Sequence, residues 1–111
     1  MTNTILVMVT CGSAKEAKRI ARRLVDARLA ACVNISTAPV QSIYRWKGKV
    51  KTAKEILLLV KSTRKRFPAL EREIRRLHSY DTPEIIALPI ATGSRAYLYW
   101  LAESVRPIRK R

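Results

Sequence analysis

The most restrictive feature of this sequence is a pair of wholly apolar runs, ILVMV at residues 5–9 and ILLLV at residues 56–60. Runs without a polar position are typical of strands with both faces buried, so both are predicted in the middle of a sheet. Two further predicted strands, residues 31–35 resuming at 40–46 and residues 85–90, contain Pro39 and Pro89. Because proline cannot donate a ladder hydrogen bond, these strands are predicted at the sheet edges.

Helical patterns separate the predicted strands. Ser13 and Glu16 form an S-x-x-E capping box, and a second helix is predicted to open at Phe67-Pro68. Their apolar stripes are Ala17, Ile20, Ala21 and Leu24 in the first helix and Phe67, Leu70, Ile74 and Leu77 in the second. A short third helix follows Ser94, with Tyr97, Leu98, Leu101 and Val105 predicted inward. The order β-α-β-β-α-β-α predicts an α+β, ferredoxin-like fold with a four-stranded antiparallel sheet in the order 4-1-3-2.

The hairpin between the second and third predicted strands is too long for the domain. Each arm has about thirteen residues and spans roughly 43 Å, whereas a domain of this size has a radius of gyration of about 13 Å. The tip, residues 43–50, is therefore predicted to overhang and to expose aromatic side chains and strand edges. Because isolated two-stranded ribbons are marginal in water, we expect the tip to pair with another subunit.

Composition limits the class of protein. The 111 residues predict one domain over residues 1–105 and a basic tail at residues 106–111. No apolar run approaches the ~18 residues of a membrane span, and the N-terminus lacks the basic start of a secretory signal. Two cysteines are too few for a disulfide scaffold. We therefore expect a soluble, cytoplasmic protein with no membrane partner and a formal net charge of +15.

Five segments resemble the CutA family of divalent-cation tolerance proteins. They are RLAACVNI at residues 28–35, SIYRWKGKV at 42–50, LLVKST at 58–63, LHSYDTPEI at 77–85 and YLYWL at 97–101, and the resemblance spans residues 4–105. It implies a PII-like trimer of ferredoxin-like protomers with interwound hairpins. It also implies a non-enzymatic role in tolerance to copper and other divalent cations, with no obligatory cofactor. Trimer-interface residues are expected at the hairpin and in the third helix, namely Ile43, Tyr44, Trp46, Val50 and Trp100.

Candidate metal ligands are Cys11, Cys32 and His78, the two thiols and the single imidazole of the chain. Thiolate and imidazole favour copper over Mg²⁺ or Ca²⁺, which need oxygen ligands. Each residue also has a structural interpretation. A cysteine in an intracellular protein is often a small buried hydrophobic residue, and a histidine at a helix C-terminus often caps it. No C-x-x-C or H-x-x-x-H spacing is present, so we expect modest affinity.

The chain departs from the family pattern at a few positions, where acidic residues are replaced. Lys51, Thr92 and Tyr99 stand where relatives commonly carry acids, and Ala91 stands where valine is common. These four residues are predicted to form a surface for a second protein. The alternative functions are therefore a structural trimer that docks another protein, or a module that binds polyanions nonspecifically. No catalytic triad, paired carboxylates or glycine-rich phosphate loop is recognisable, so we do not expect an enzyme.

Overall fold

A computed structural model describes residues 2–108 of the chain. The strands are β1 (Thr4–Cys11), β2 (Cys32–Ile35), β3 (Val40–Trp46), β4 (Lys49–Thr63) and β5 (Ile85–Pro89). The helices are α1 (Ala14–Asp26), α2 (Phe67–Leu77), which follows a 3₁₀ turn at Arg64–Arg66, and α3 (Arg95–Ser104). In this part of the chain, no helix combines the length and apolar character needed to cross a bilayer.

The sheet is antiparallel in the order β2-β4-β1-β5, and β3 pairs with the outer part of β4. This arrangement confirms the predicted fold, with β1 and β4 central. The predicted second strand is divided into β2 and β3, because residues 36–39, ending in Pro39, leave the ladder. The other edge strand, β5, ends at Pro89. Proline thus marks both edges of the sheet, as predicted.

Helices α1 and α2 cover one face of the sheet. Alternate residues of β1 and β4, such as Val7, Val9 and Leu58, are fully buried against the predicted stripe of α1 and against Leu70 and Ile74 of α2. The opposite face corrects the prediction that both apolar runs are buried on both sides. It carries six half-buried or exposed apolar side chains, hereafter the open face: Leu6, Met8, Leu57, Leu59, Ile86 and Leu88.

The hairpin overhangs as predicted. β1 covers β4 only from Ile56 onward, so Lys49 to Glu55 pair with β3 alone. The turn has positive φ at Lys47 (50°) and Gly48 (78°), which is the type I′ geometry that matches strand twist in a two-residue hairpin. The protein is consequently elongated, with principal extents of 48 × 32 × 25 Å.

The third helix begins at the predicted cap, since the Ser94 hydroxyl accepts from the Tyr97 backbone N–H at 3.2 Å. Leu101 and Val105 are buried beside Ala31, but Tyr97 is exposed, which corrects its predicted inward position. Arg28 donates to the Glu103 and Arg106 carbonyls and so fixes the end of α3. Of the predicted basic tail, residues 109–111 lie outside the described residues.

Candidate functional site

Three titratable side chains meet where β1 ends, α1 begins and α2 ends. They are Cys11, Glu16 and His78, and one ligand atom from each lies within 4.8 Å of the others. All three are almost completely buried. Sequence analysis had singled out Cys11 and His78, and the structure brings these two together. Glu16 was expected only as a capping residue.

Both ring nitrogens of His78 are engaged. Nε2 lies 2.8 Å from the Thr10 carbonyl oxygen, and Nδ1 lies 3.1 Å from the backbone nitrogen of Tyr80. Because a carbonyl only accepts and a backbone N–H only donates, the proton is on Nε2 and Nδ1 is the acceptor. His78 therefore joins the segment after α2 to the end of β1, in addition to being the C-cap residue of α2.

Glu16 combines a local and a long-range role. Its backbone N–H donates to the Ser13 hydroxyl at 3.2 Å, as the capping box predicts. Its carboxylate does not bond the backbone of Ser13, as it would in a complete capping box. It accepts a hydrogen bond from the Ser79 backbone N–H at 2.8 Å, and it forms an ion pair with Arg19 at 3.8 Å. Burial disfavours the carboxylate, but hydrogen bonds from Ser79 and Gly12 and the charge of nearby His78 together outweigh it and hold the pKa of Glu16 below its usual value.

The Cys11 thiol is held in its protonated form. Burial raises its pKa to about 12, and the carboxylates of Glu16 and Glu55 add to the shift. A thiol in this environment is a poor nucleophile, because the thiolate is the reactive species. The site is thus not built for nucleophilic catalysis by cysteine.

Glu55 and Tyr80 extend the cluster toward the hairpin. The Tyr80 hydroxyl donates to the Glu55 carboxylate at 2.9 Å, and burial together with this carboxylate raises the pKa of Tyr80 to about 12. Between the hairpin and residues 80–84 lies a cleft of about 720 Å³, with Asp81 and Glu84 among its lining residues. Sequence reasoning missed Glu55, although one signal was present: it is the only acid among the lysines that precede the apolar run of β4.

Of the three candidate ligands, the structure brings Cys11 and His78 together and does not bring Cys32 to this cluster. On neighbouring strands, Cys32 of β2 is opposite Lys61 of β4, and Lys61 is opposite Leu6 of β1. Leu6 is five residues from Cys11, a separation of roughly 17 Å along a strand. Cys32 instead lies beside the Lys61 ammonium, with Sγ and Nζ 3.9 Å apart.

The predicted partner surface is also divided. Thr63, at the C-terminal end of β4, is opposite Thr4 of β1 in the sheet. The Thr4 carbonyl accepts a hydrogen bond from the Ile90 N–H, so Ala91 and Thr92, which follow Ile90, lie at this same end of the sheet. Lys51 is twelve residues away along β4, a distance of roughly 40 Å. The prediction of one surface containing Lys51, Ala91, Thr92 and Tyr99 is therefore wrong within a protomer. Tyr99 is 69% exposed on α3, which leaves it available for contacts.

The expected trimer-interface residues are all solvent-accessible in the protomer. Ile43 and Val50 are more than 60% exposed, and Tyr44, Trp46 and Trp100 are about 40% exposed. Strand alternation and the register put Ile43 and Val50 on one face of the ribbon and Tyr44 and Trp46 on the other, while Trp100 lies on α3. They remain candidates for contacts with a second subunit.

The donors of the cluster fit a soft or borderline cation in kind but not in their present arrangement. Sulfur, imidazole nitrogen and carboxylate oxygen suit copper or zinc. Bonds of about 2.0–2.3 Å to such a metal place donor atoms closer together than the 4.8 Å span of this cluster. Binding also requires loss of the Cys11 proton and of one hydrogen bond of His78 or Glu16. Residues 11, 16 and 78 could hold a metal only after these rearrangements.

The fold and the site together define a class: small α+β ferredoxin-like proteins with an overhanging hairpin and a buried thiol, carboxylate and imidazole beside the hairpin base. Residues 5–104 match the sequence profile of the family described as CutA1 divalent ion tolerance protein. The chain belongs to this CutA1 family.

Relatives support this assignment over most of the chain. The divalent-cation tolerance protein CutA of Thermus thermophilus is 52% identical over 99 residues, which cover 89% of this chain and 95% of that one. The Archaeoglobus fulgidus protein of the same name is 41% identical over 99 residues, with the same coverage. A rice protein, CutA 1, chloroplastic, is 43% identical over 103 residues, which are 93% of this chain and 58% of the rice protein.

Solved structures agree with the fold. The Thermus thermophilus divalent cation tolerance protein superimposes with a TM-score of 0.90 at 50% identity, covering 93% of this chain and 99% of that one. The Archaeoglobus fulgidus protein, described as periplasmic, gives 0.89 at 40% identity with the same coverage. The names of these relatives refer to tolerance and specify no reaction. They include chloroplastic and periplasmic proteins, so the family does not share one compartment.

Proposed function

We propose that this protein is a non-enzymatic, cytoplasmic cation-tolerance protein that binds copper, or another soft divalent cation, with modest affinity at Cys11, Glu16 and His78. The observation that carries the proposal is the convergence of three different donors from three elements within 4.8 Å. The relatives named for divalent-cation tolerance support it. Modest affinity follows because each donor is already protonated or hydrogen-bonded. The cation is not obligatory, since the hydrogen bonds of Glu16 and His78 stabilise the cluster without it.

Copper titration with single-site variants tests this proposal. We expect Cys11→Ser and His78→Ala each to weaken Cu(I) binding about tenfold or more, since even loss of a residue that orients a ligand costs about 10–100-fold. Cys32→Ser is the matched control, because it removes a thiol that lies at least roughly 17 Å from the cluster, and it is expected to leave the affinity unchanged. Copper binding that survives in the Cys11→Ser, His78→Ala double variant, or that is lost in Cys32→Ser alone, contradicts the assignment.

We further propose that the protein is a homotrimer. Two features of the protomer support this. The open face presents six apolar side chains to solvent, including Ile86 at 50% and Leu88 at 44% exposure. The ribbon formed by β3 and the outer part of β4 has unpaired edges on both sides. Burial of apolar sheet surface and pairing of free strand edges are both achieved by association with further copies.

Sedimentation equilibrium tests the oligomeric state, with about three protomer masses expected. Trp46→Ala is expected to destabilise the assembly by about 3–5 kcal/mol, the usual cost of removing a buried aromatic side chain. Lys47→Ala at the neighbouring turn position serves as the control that leaves assembly intact. A monomer at micromolar concentration, or no effect of Trp46→Ala on association, contradicts the proposal.

A second candidate function is docking of another protein at the α3 end of the sheet, through Ala91, Thr92 and Tyr99 but without Lys51. The exposed aromatic side chains of α3 favour it, since aromatic residues are enriched at interfaces. Tyr99→Asp places an acid at this position, as relatives commonly have. It is expected to abolish association with a second protein, measured by chemical cross-linking, and to leave the homo-oligomer intact. Association that persists in this variant counts against the idea.

A further inference from the structure

The solvent side of the two-helix layer concentrates positive charge. α1 and α2 together carry eight basic side chains, all exposed, against four acidic ones. We define the helix face by these eight residues: Lys15, Lys18, Arg19, Arg22, Arg23, Arg72, Arg75 and Arg76. Acids pair with four of the eight: Glu16 with Arg19, Asp26 with Arg22, and Glu73 with both Arg23 and Arg76. The other four have no acidic partner within residues 2–108. Glu16 is buried and bonded to Ser79, and Glu73 is only 15% exposed beneath two arginines.

A cleft between the two helices organises part of this charge. It has a volume of about 490 Å³ and is lined by Arg23, Arg72 and Arg76, with Glu73 among them. Arg23 Nε donates to Glu73 at 2.7 Å, and Arg76 donates to the same carboxylate at 2.7 and 2.9 Å. Each guanidinium has five N–H donors, so both arginines keep most of theirs available while Glu73 fixes their orientation.

We infer that the helix face binds the phosphate backbone of double-stranded nucleic acid without sequence preference. Arginine supplies six of the eight charges, and its planar fork matches phosphate geometry in a bidentate manner. Arg72 and Arg75, together with Lys15 and Lys18, make no ion pair within residues 2–108 and are free to contact phosphates.

The composition of the face favours duplex nucleic acid over single-stranded nucleic acid and over membranes. No aromatic side chain of α1 or α2 is exposed, so the described part of these helices has no platform for stacking unpaired bases. Val25 is the only large apolar side chain exposed on the two helices, which gives little to insert into a lipid bilayer. The helix layer lies on the opposite side of the sheet from the open face. Association through the open face therefore leaves the helix face in solvent.

Fluorescence anisotropy with a labelled DNA duplex of about 24 base pairs tests this inference at salt concentrations from about 50 to 200 mM. The full chain is compared with a helix variant, Lys15→Gln, Lys18→Gln, Arg72→Gln and Arg75→Gln. The matched control removes four charges from the hairpin, with Lys47→Gln, Lys49→Gln, Lys51→Gln and Lys54→Gln. Thermal melts and sedimentation establish that each variant keeps its fold and assembly.

We expect the helix variant to bind the duplex at least about tenfold more weakly than the full chain. The slope of log affinity against log salt concentration is expected to become about 3–4 less steep, since each of the four lost phosphate contacts contributes about 0.9. The hairpin control is expected to change affinity less than about threefold. Arg72→Lys with Arg75→Lys keeps the charge and is expected to retain most of the binding. Three results would each overturn the inference. They are equal losses of affinity in the helix and hairpin variants, no binding of the wild type to the duplex at the lowest salt concentration, and binding to phosphatidylserine vesicles but not to the duplex.

Discussion

At the scale of single residues, two buried acids connect distant parts of the chain. Glu16 and Glu55 are each less than 10% exposed, and their partners come from distant parts of the chain, Ser79 and Tyr80. Each carboxylate thus joins the segment after α2 to another element. Glu73 has a similar effect at the surface, where it bonds Arg23 of α1 and Arg76 of its own helix.

Glu73 leads to a prediction about acid stability. Hydrogen bonds from Arg76 and Arg23 lower its pKa from 4.5 to about 2, so folding favours the ionised form. Its contribution is therefore fully present above pH 4.5 and is lost as the pH falls toward 2. We expect Glu73→Gln to lower the free energy of unfolding by about 1 kcal/mol or less at neutral pH, because the arginines are exposed.

The measurement is urea denaturation of both proteins across this pH range. The stability difference between wild type and Glu73→Gln is expected to shrink as the pH decreases and to vanish near pH 2. Glu71→Gln is the control, because it removes the same charge from the same helix and Glu71 forms no ion pair among the described residues. A difference that stays constant with pH would show that the ion pairs do not stabilise the fold.

At the scale of elements, the turn between β3 and β4 holds one of its two central residues in a backbone conformation that this residue type disfavours. Type I′ turns need positive φ at both central residues, which suits glycine and asparagine but not lysine. Gly48 satisfies the requirement, and a Cβ added there meets no atom within 4 Å. Lys47, at φ 50°, adopts an unfavourable conformation.

We expect Lys47→Asn to stabilise the protein by about 0.5 kcal/mol, because asparagine tolerates the left-handed region. Gly48→Ala is the counterpart and is expected to destabilise by about 1 kcal/mol through backbone conformation alone, since its side chain meets nothing. Thermal melts at one fixed protein concentration compare the variants. Equal stabilities of wild type and Gly48→Ala would show that the turn relaxes into another geometry.

At the scale of the whole molecule, charge is the dominant feature. A formal net charge of +15 on 111 residues destabilises the compact state through self-repulsion. Only a few acids form ion pairs in the described residues, so little of this repulsion is relieved by local pairing.

Screening is therefore expected to stabilise this protein. Raising the salt concentration from about 10 to 300 mM reduces the Debye length from about 30 to below 10 Å, and the melting temperature is expected to rise by a few degrees. Differential scanning calorimetry with sodium chloride measures the effect, and sucrose at equal osmolality is the control for nonionic effects. A melting temperature that falls with salt would mean that attractive ion pairs outweigh the repulsion.

The sequence by itself determined the order of elements and the layout of the sheet. Apolar runs placed β1 and β4 at the centre, and Pro39 and Pro89 marked the edges, because these signals depend on local hydrophobicity and on a missing N–H donor. The helix stripes and the caps at Ser13 and Ser94 were likewise readable, since each involves residues within one or two turns.

Only the tertiary structure decided which side chains meet. Cys11 and His78 lie close together with Glu16, while Cys32 lies on another part of the sheet. The register of the strands and the packing of the helices set these distances, and sequence spacing does not. The open face was hidden for a related reason. An apolar run shows that a strand avoids water on both sides, but whether a helix of the same chain covers each side depends on where the helices pack.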